Sequence, residues 1–399
     1  MKNYTKIFNA QIITPFGLLK EGTLIIADGK IAEISAHNIA VEGALEINAN
    51  GNYVSPGFID MHVHGGGGHD FMDNTLDAFL AIANTHAKYG TTALMPTTLS
   101  CEKEDLLATL DIYEQALAVS HLGADFVGIH IEGPYFAMSQ KGAQDPRYIR
   151  NPDPAEYQEV LAASKHIKRW SAAPELPGTI AFGKFLQQHH VLAAIAHTDA
   201  IYEEVVEAYK VGFTHATHFY SCMSGVSRRN AFRYAGAIES AYLLDGMTVE
   251  IIVDGVHLPA PLLKLIYKIK GAENTALITD AMRGAGMPEG KSILGSLKDG
   301  LAVIIEDGVA KLPDRTAFAG SVATTDRLVR NMINLAEVPL LDAVKMASAT
   351  PAKILNIQET KGELVKDKDA DIVIFDDDIN IKTTIVKGNV VYTKDEIKI

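Results

Sequence analysis

Apolar and polar positions alternate in short runs over residues 1–53. Ile12-Ile13, Leu24-Ile25-Ile26 and Ile31-Ala32-Glu33-Ile34 read as strands, punctuated by the turn signals Asp28-Gly29 and Asn50-Gly51. The same texture returns near the other end. Gly362-Glu363-Leu364 leads to Asp371-Ile372-Val373-Ile374-Phe375, and then to a run from Thr384 to Tyr392 broken by Gly388-Asn389. The pattern predicts a small β-sandwich domain made of both ends, residues 1–53 plus 360–399, with residues 54–359 inserted into it.

The inserted segment repeats strand, then helix. Val54, Phe58 and Ile59 open a buried strand, and Asn74 or Thr75 caps a helix with Leu76, Phe79, Leu80 and Ala83 on one face. Thr91–Thr97 is a strand and 104–119 a helix. Further strands fall at 126–133, 170–173, 191–197, 213–218, 250–254 and 276–280. Eight such units predict a parallel (β/α)8 barrel, an α/β fold, over 54–359. Residues 294–320 break the rhythm with the turns Lys298-Asp299-Gly300 and Glu306-Asp307-Gly308, which predict a β-hairpin insertion.

Polar residues punctuate this barrel at one end. His62 and His64 close strand one, Glu132 strand three, His197 strand five, His218 strand six and Asp280 strand eight. Residues two apart in a strand share a side, so His62 and His64 leave the strand together. The C-terminal rim is where such barrels carry their active sites. Imidazoles and carboxylates converging there are ligands for a divalent metal, with Zn, Fe, Mn and Co equally suited. A bound ion would bring the pKa of its water from ~15.7 toward ~7 and polarise a carbonyl. Asp280 is the carboxylate placed to take that water's proton and pass it to a leaving amine.

The bulk properties narrow the field. A formal net charge of −13 with no basic run argues against nucleic acid and anionic membrane surfaces as partners. No apolar run approaches the ~18–20 residues needed to span a bilayer, and Met1–Lys6 leads into a strand-like run without a signal-peptide core. The two cysteines, Cys101 and Cys222, lie far apart, which favours a reducing, cytoplasmic location over a disulfide framework.

The residues Pro56-Gly57-Phe58-Ile59-Asp60-Met61-His62-Val63-His64 resemble the opening signature of the amidohydrolase superfamily. Several motifs resemble, in order and spacing, its N-acetylglucosamine-6-phosphate deacetylase family. These are His130-Ile131-Glu132-Gly133-Pro134 with Lys141-Gly142-Ala143, Ala196-His197-Thr198-Asp199-Ala200, Ala216-Thr217-His218-Phe219-Tyr220, Asp254-Gly255-Val256-His257 and Thr279-Asp280-Ala281. The likeness runs from about residue 50 to the C-terminus.

The resemblance implies that Glu132, His197 and His218 hold the primary metal and that Asp280 is the catalytic base and acid. The His62/His64 pair implies room for a second ion, with Glu132 as the bridge, since strand four carries no lysine in Trp170–Ala173. It implies substrate contacts at Ala143, Gln144, Ser221, Cys222, Arg229 and His257, and Gly320, near the predicted hairpin, is placed to approach a ligand by its backbone. Of these, Arg229 would bind phosphate, in some members across a homodimer interface. Three departures touch sugar or phosphate recognition: Ser221-Cys222 stands in place of Asn-Ala, Gln144 in place of a frequent His, and Asn230–Tyr234 in place of Glu-Pro-Gly.

The expected activity is thus hydrolysis of an N-acetylated amino-sugar phosphate, N-acetylglucosamine 6-phosphate first. The alternatives are another N-acetylhexosamine phosphate such as N-acetylgalactosamine 6-phosphate, an N-acyl amino acid, or a barrel that only binds. His69, His86, His121, His166, His189 and His190 read as surface or packing, His130 and His215 as core or supporting residues, and Glu175 as a rim carboxylate.

Overall fold

The structure, a computed structural model, describes residues 4–119 and 122–394. His121 and the outermost residues of both terminal segments lie outside the described residues. Among the described residues, eight parallel strands make the barrel: Phe58–Val63, Thr91–Pro96, Ile129–Glu132, Ile167–Ala172, Leu192–Ile195, Phe213–Ala216, Thr248–Ile252 and Thr275–Ile278. Strands one and two form one ladder and strands three to eight another. Single parallel bridges at the C-terminal rim, Thr97 to His130 and Val63 to Ala281, join the two ladders. Closure is therefore made at the end where the polar residues gather.

Strand three is shorter than its apolar run predicts. Gly128 adopts φ +131°, and a Cβ there would come within 2.4 Å of the Lys168 side chain. The chain kinks at this point, so Asp125–Phe126 pairs with strand two and Ile129–Glu132 pairs with strand four. The buried face of the first helix, Leu76–Ala87, uses Phe79 and Ala83 as expected, with Thr75 accepting the Ala78 N–H at 3.2 Å. Trp170, fully buried among Tyr135 and Phe182, donates its indole N–H to the Gly133 carbonyl at 2.8 Å. The outer core thereby anchors the residue that follows Glu132.

Strands from both ends of the chain build one hydrogen-bonded sheet. In order they are Asn389–Thr393, Ile381–Val386, Ile372–Phe375, Tyr53–Pro56, Tyr4–Thr14, Gly17–Ala27 and Lys30–Ser35, with Leu45–Asn48 also on Tyr4–Thr14. The sheet folds over a shared core that includes Ile7, Ile12, Leu24, Ile26, Ile372 and Ile374. The Asp28-Gly29 turn meets the returning end there: the Ala370 N–H donates to Gly29 O at 2.9 Å. The insertion after strand eight is larger than a hairpin. Gly290–Leu294, Leu301–Glu306, Val309–Lys311 and Phe318–Ser321 form a four-stranded antiparallel sheet.

Lys361 clamps the terminal sheet to the barrel. Its buried ammonium lies 3.1 Å from Asp125, 3.0 Å from Asp369 and 2.7 Å from Asp371. Removing it would leave the buried Asp371 without a cation, whereas Asp125 keeps Lys387 at 2.7 Å and Asp369 keeps Lys30 at 2.5 Å, and an uncompensated buried carboxylate costs roughly 3–5 kcal/mol. Lys361→Met is expected to lower the unfolding free energy by about that amount in urea titration. A midpoint indistinguishable from the parent's would refute the clamp.

Candidate metal centre

Each candidate ligand is delivered by the end of a barrel strand. His62 lies inside strand one, and His64 just past it. His197, His218 and Asp280 each stand two residues beyond the last residue of strands five, six and eight. All three take left-handed backbone angles, with φ of +46°, +28° and +48°. Non-glycine residues rarely adopt this region, and the surrounding structure has to hold them there. Here backbone bonds do so. The Asp280 N–H donates to His62 O at 2.9 Å, and its carbonyl accepts the Ser321 N–H at 2.8 Å. Gly320, at φ +66°, packs so close that a Cβ would sit 2.8 Å from Asp280 O.

The side chains meet around Glu132. His218 Nε2 is 3.0 Å from Glu132 Oε1, His62 Nε2 3.5 Å and His197 Nε2 3.6 Å. His64 Nε2 is 3.4 Å from Glu132 Oε2 and 3.1 Å from Asp280 Oδ1, and 3.3 Å from His62 Nε2. Two overlapping donor groups result, Glu132–His197–His218 and His62–His64–Glu132, with the donor atoms of each within 4.8 Å of one another. All are buried.

The chemistry of this donor set fits a cation. His197 Nδ1 lies 2.8 Å from the Gln140 carbonyl, His62 Nδ1 2.8 Å from Glu250 and His64 Nδ1 3.2 Å from the Thr97 carbonyl. Each Nδ1 therefore carries a proton, and each Nε2 points inward, where it takes either a second proton or a cation. Lone pairs 3.3 Å apart, as on His62 and His64, need a positive charge between or upon them. His218 Nδ1 is buried with no hydrogen-bond partner among the described residues. Burial pushes the His62 imidazole down, but Asp280, Glu132 and Glu250 overcome it and raise its pKa to about 10. Burial pushes the Glu132 carboxyl up, yet His62, His197 and His218 hold it well below the ordinary range.

Beneath this layer lies a buried network in which His130 and His215 are the supporting residues expected, while its charged pair, Arg169 and Glu250, was not singled out from the sequence. Arg169 pairs with Glu250 at 2.5 and 2.7 Å and donates to Thr217 Oγ1 at 2.7 Å. Glu250 also accepts from the backbone N–H of His218 at 3.2 Å and lies 3.2 Å from His215 Nε2. His130 reaches Ser171 at 2.7 Å. The available signal was a charge on a strand of the barrel, Glu250 alone among apolar residues in Thr248–Ile252 and Arg169 beside Lys168 in Ile167–Ala172, because charges are seldom fully buried unless paired. Lys168, the lysine of strand four, is exposed. Asp60 staples strands one and eight by accepting the Thr279 N–H at 3.2 Å. Glu175 accepts from Thr198 Oγ1 and the Asp199 N–H, both at 2.6 Å, and so braces the turn after His197.

A cavity of about 250 Å3 opens above the cluster. His64, Glu132, His197, His218 and Asp280 line its floor, with Ala143, Gln144, Ser221, Cys222, His257 and Gly320 around them. His62 is sealed below. Asp254 Oδ2 lies 2.7 Å from His257 Nδ1, and the His257 ring rests on Phe318 with centroids 4.7 Å apart. Arg229 does not line this cavity. It lies exposed on the hairpin Ser227–Tyr234, its guanidinium 5.5 Å over the Tyr234 ring. His86 is buried and lies 2.9 Å from the Gly65 carbonyl, a packing role, whereas His189 and His190 are exposed.

Residues 53–391 match the amidohydrolase family. The chain is a member of that family. This amidohydrolase is 33% identical over 392 residues to the N-acetylglucosamine-6-phosphate deacetylase of Lysinibacillus sphaericus, covering 96% of this chain and 97% of the relative. It is 31% identical over 379 residues to the N-acetylgalactosamine-6-phosphate deacetylase of Escherichia coli O157:H7, covering 95% and 97%. Its fold superposes on the N-acetyl-D-glucosamine-6-phosphate deacetylase of Mycobacterium smegmatis, solved in complex with N-acetyl-D-glucosamine-6-phosphate. That match has a TM-score of 0.89 at 30% identity and covers 98% of this chain and 100% of the other. Among the described residues, no helix is long and apolar enough to cross a membrane.

Glu250→Gln tests the buried network. An amide can donate to His62 Nδ1 and turn its proton to Nε2, which removes that lone pair. The variant is expected to keep metal at Glu132–His197–His218 and to lose any ion held by His62 and His64, read as metal content per chain. Unchanged stoichiometry and affinity would show that Glu250 does not set the tautomer.

Proposed function

We propose that this chain is a metal-dependent deacetylase that hydrolyses the N-acetyl group of an amino-sugar phosphate, N-acetylglucosamine 6-phosphate first among them. The observation that carries the reading is the convergence of Glu132, His197 and His218 with Asp280 on one cavity. The names of the relatives at 33% and 30% identity support the substrate class.

In this reading Glu132, His197 and His218 would hold one divalent ion, and His62 and His64 with Glu132 would have the donors for a second. When bound there, an ion lowers the pKa of a coordinated water from ~15.7 toward ~7 and polarises a carbonyl oxygen. Asp280 takes a proton from the attacking water and returns it to the departing nitrogen, so amide and water become amine and acetate. Burial pushes the Asp280 carboxyl up, but His62 and His64 hold it below the ordinary range, ready to accept. His257, its Nδ1 held by Asp254, turns Nε2 toward the acetyl or sugar oxygen. Arg229 meets the phosphate, where a guanidinium fork donates two parallel bonds. Its place outside its own chain's cavity accords with supply from the other subunit of a homodimer.

A panel of N-acetylhexosamines with and without a 6-phosphate tests the assignment. The expected order places N-acetylglucosamine 6-phosphate highest. A dominant rate on N-acetylgalactosamine 6-phosphate would move the assignment to the sugar named for the Escherichia coli relative. A dominant rate on an unphosphorylated substrate would leave Arg229 without a role. Asp280→Asn is expected to retain metal and to lose at least about two orders of magnitude in kcat. Near-parental turnover would remove Asp280 from the mechanism.

A further inference from the structure

Gln144 belongs to the substrate-contacting set by resemblance, yet its hydrogen bonds point elsewhere. The side chain is 5% exposed. Its Oε1 accepts the Ser100 backbone N–H at 2.9 Å, and its Nε2 donates to Glu132 Oε2 at 2.9 Å. The two bonds fix the orientation of the amide. Turned over, the carbonyl oxygen would face the Glu132 carboxylate and the NH2 would face the Ser100 N–H, so both contacts would become repulsive. Gln144 thus spans the loop after strand two and the end of strand three. Glu132 is held with Oε2 bound and Oε1 turned to His62, His197 and His218.

We infer that Gln144 is a positioning residue that sets the rotation of Glu132, and so acts on how tightly the chain holds its metal rather than on how it recognises the sugar. The inference rests on the proposed metal centre. An uncharged donor suits the task, because it orients the carboxylate without neutralising it. The amide has committed its oxygen and one of its two N–H groups, which leaves a single N–H for any other partner.

The test compares the parent with Gln144→Met, which keeps length but removes both polar ends, and with Gln144→His, which keeps one N–H donor. Zn2+ affinity is measured by equilibrium dialysis of metal-stripped protein, and KM for N-acetylglucosamine 6-phosphate at saturating Zn2+. Gln144→Met is expected to weaken Zn2+ binding by about 10- to 100-fold, the range for loss of a ligand's supporting hydrogen bond. KM should move by less than about threefold, and Gln144→His should recover part of the lost affinity. Zn2+ affinity within about threefold of the parent's in the Met variant overturns the inference, whether or not KM rises. Gln144→Ala, which cannot overpack the site, gives the same two readings if the Met variant does not fold. Failure of the parent itself to bind Zn2+ would instead count against the metal centre, so the two failures are separable.

Discussion

Buried negative charge is the constraint around which this molecule is organised. Glu132, Asp280 and Glu250 lie within one small volume, each less than a tenth exposed. Arg169 neutralises Glu250 through a two-point pairing. Among the described residues, no lysine or arginine is paired with Glu132 or Asp280; imidazoles surround them instead. Unpaired carboxylates in such surroundings are costly, so the rim has to acquire positive charge, as protons on histidine or as a cation. The protein favours the cation by occupying the outer nitrogens of His62, His64 and His197, which leaves their inner nitrogens free to ligate.

Rigidity follows from the same arrangement. The residues that face one another come from different strands, so their distances depend on barrel closure. The two bridges that complete the barrel, Thr97 to His130 and Val63 to Ala281, lie beside ligand residues. The left-handed residues at the ends of strands five, six and eight turn side chains over the rim that an extended backbone would send along the strand. Arg283 adds a tie from outside, donating to Gly68 O at 3.0 Å and Ile293 O at 2.8 Å and pairing with Asp73 at 2.8 Å. Loops from strand one, strand eight and the inserted sheet are thereby held as one frame.

The barrel was readable because each strand is a short apolar run closed by a polar residue or a turn, and the candidate ligands were readable because they occupy those closing positions. Strand three was overextended in the reading because Val127-Gly128 continues its apolar run, and only the approach of Lys168 requires the glycine conformation there. The inserted sheet appeared as a single hairpin because its outer strands, Gly290–Leu294 and Phe318–Ser321, carry few β-branched residues. Arg169 and Glu250 escaped notice for another reason. Glu250 is one charged letter among apolar ones and Arg169 follows another, Lys168, and the meaning of each is the other, on strands far apart in sequence. The double use of Gln144 was likewise invisible, since neither Ser100 nor Glu132 is near it in the chain.

The sheet made from both chain ends bears on how the protein is born. Tyr53–Pro56 is flanked on one side by Tyr4–Thr14 and on the other by Ile372–Phe375. During synthesis the first neighbour precedes Tyr53–Pro56, whereas the second leaves the ribosome only after the whole intervening barrel. Until then the nascent chain carries an open β edge with unpaired backbone donors and acceptors, a template for joining other chains. Quality control in the cell would have to guard that edge for as long as the intervening barrel is being made.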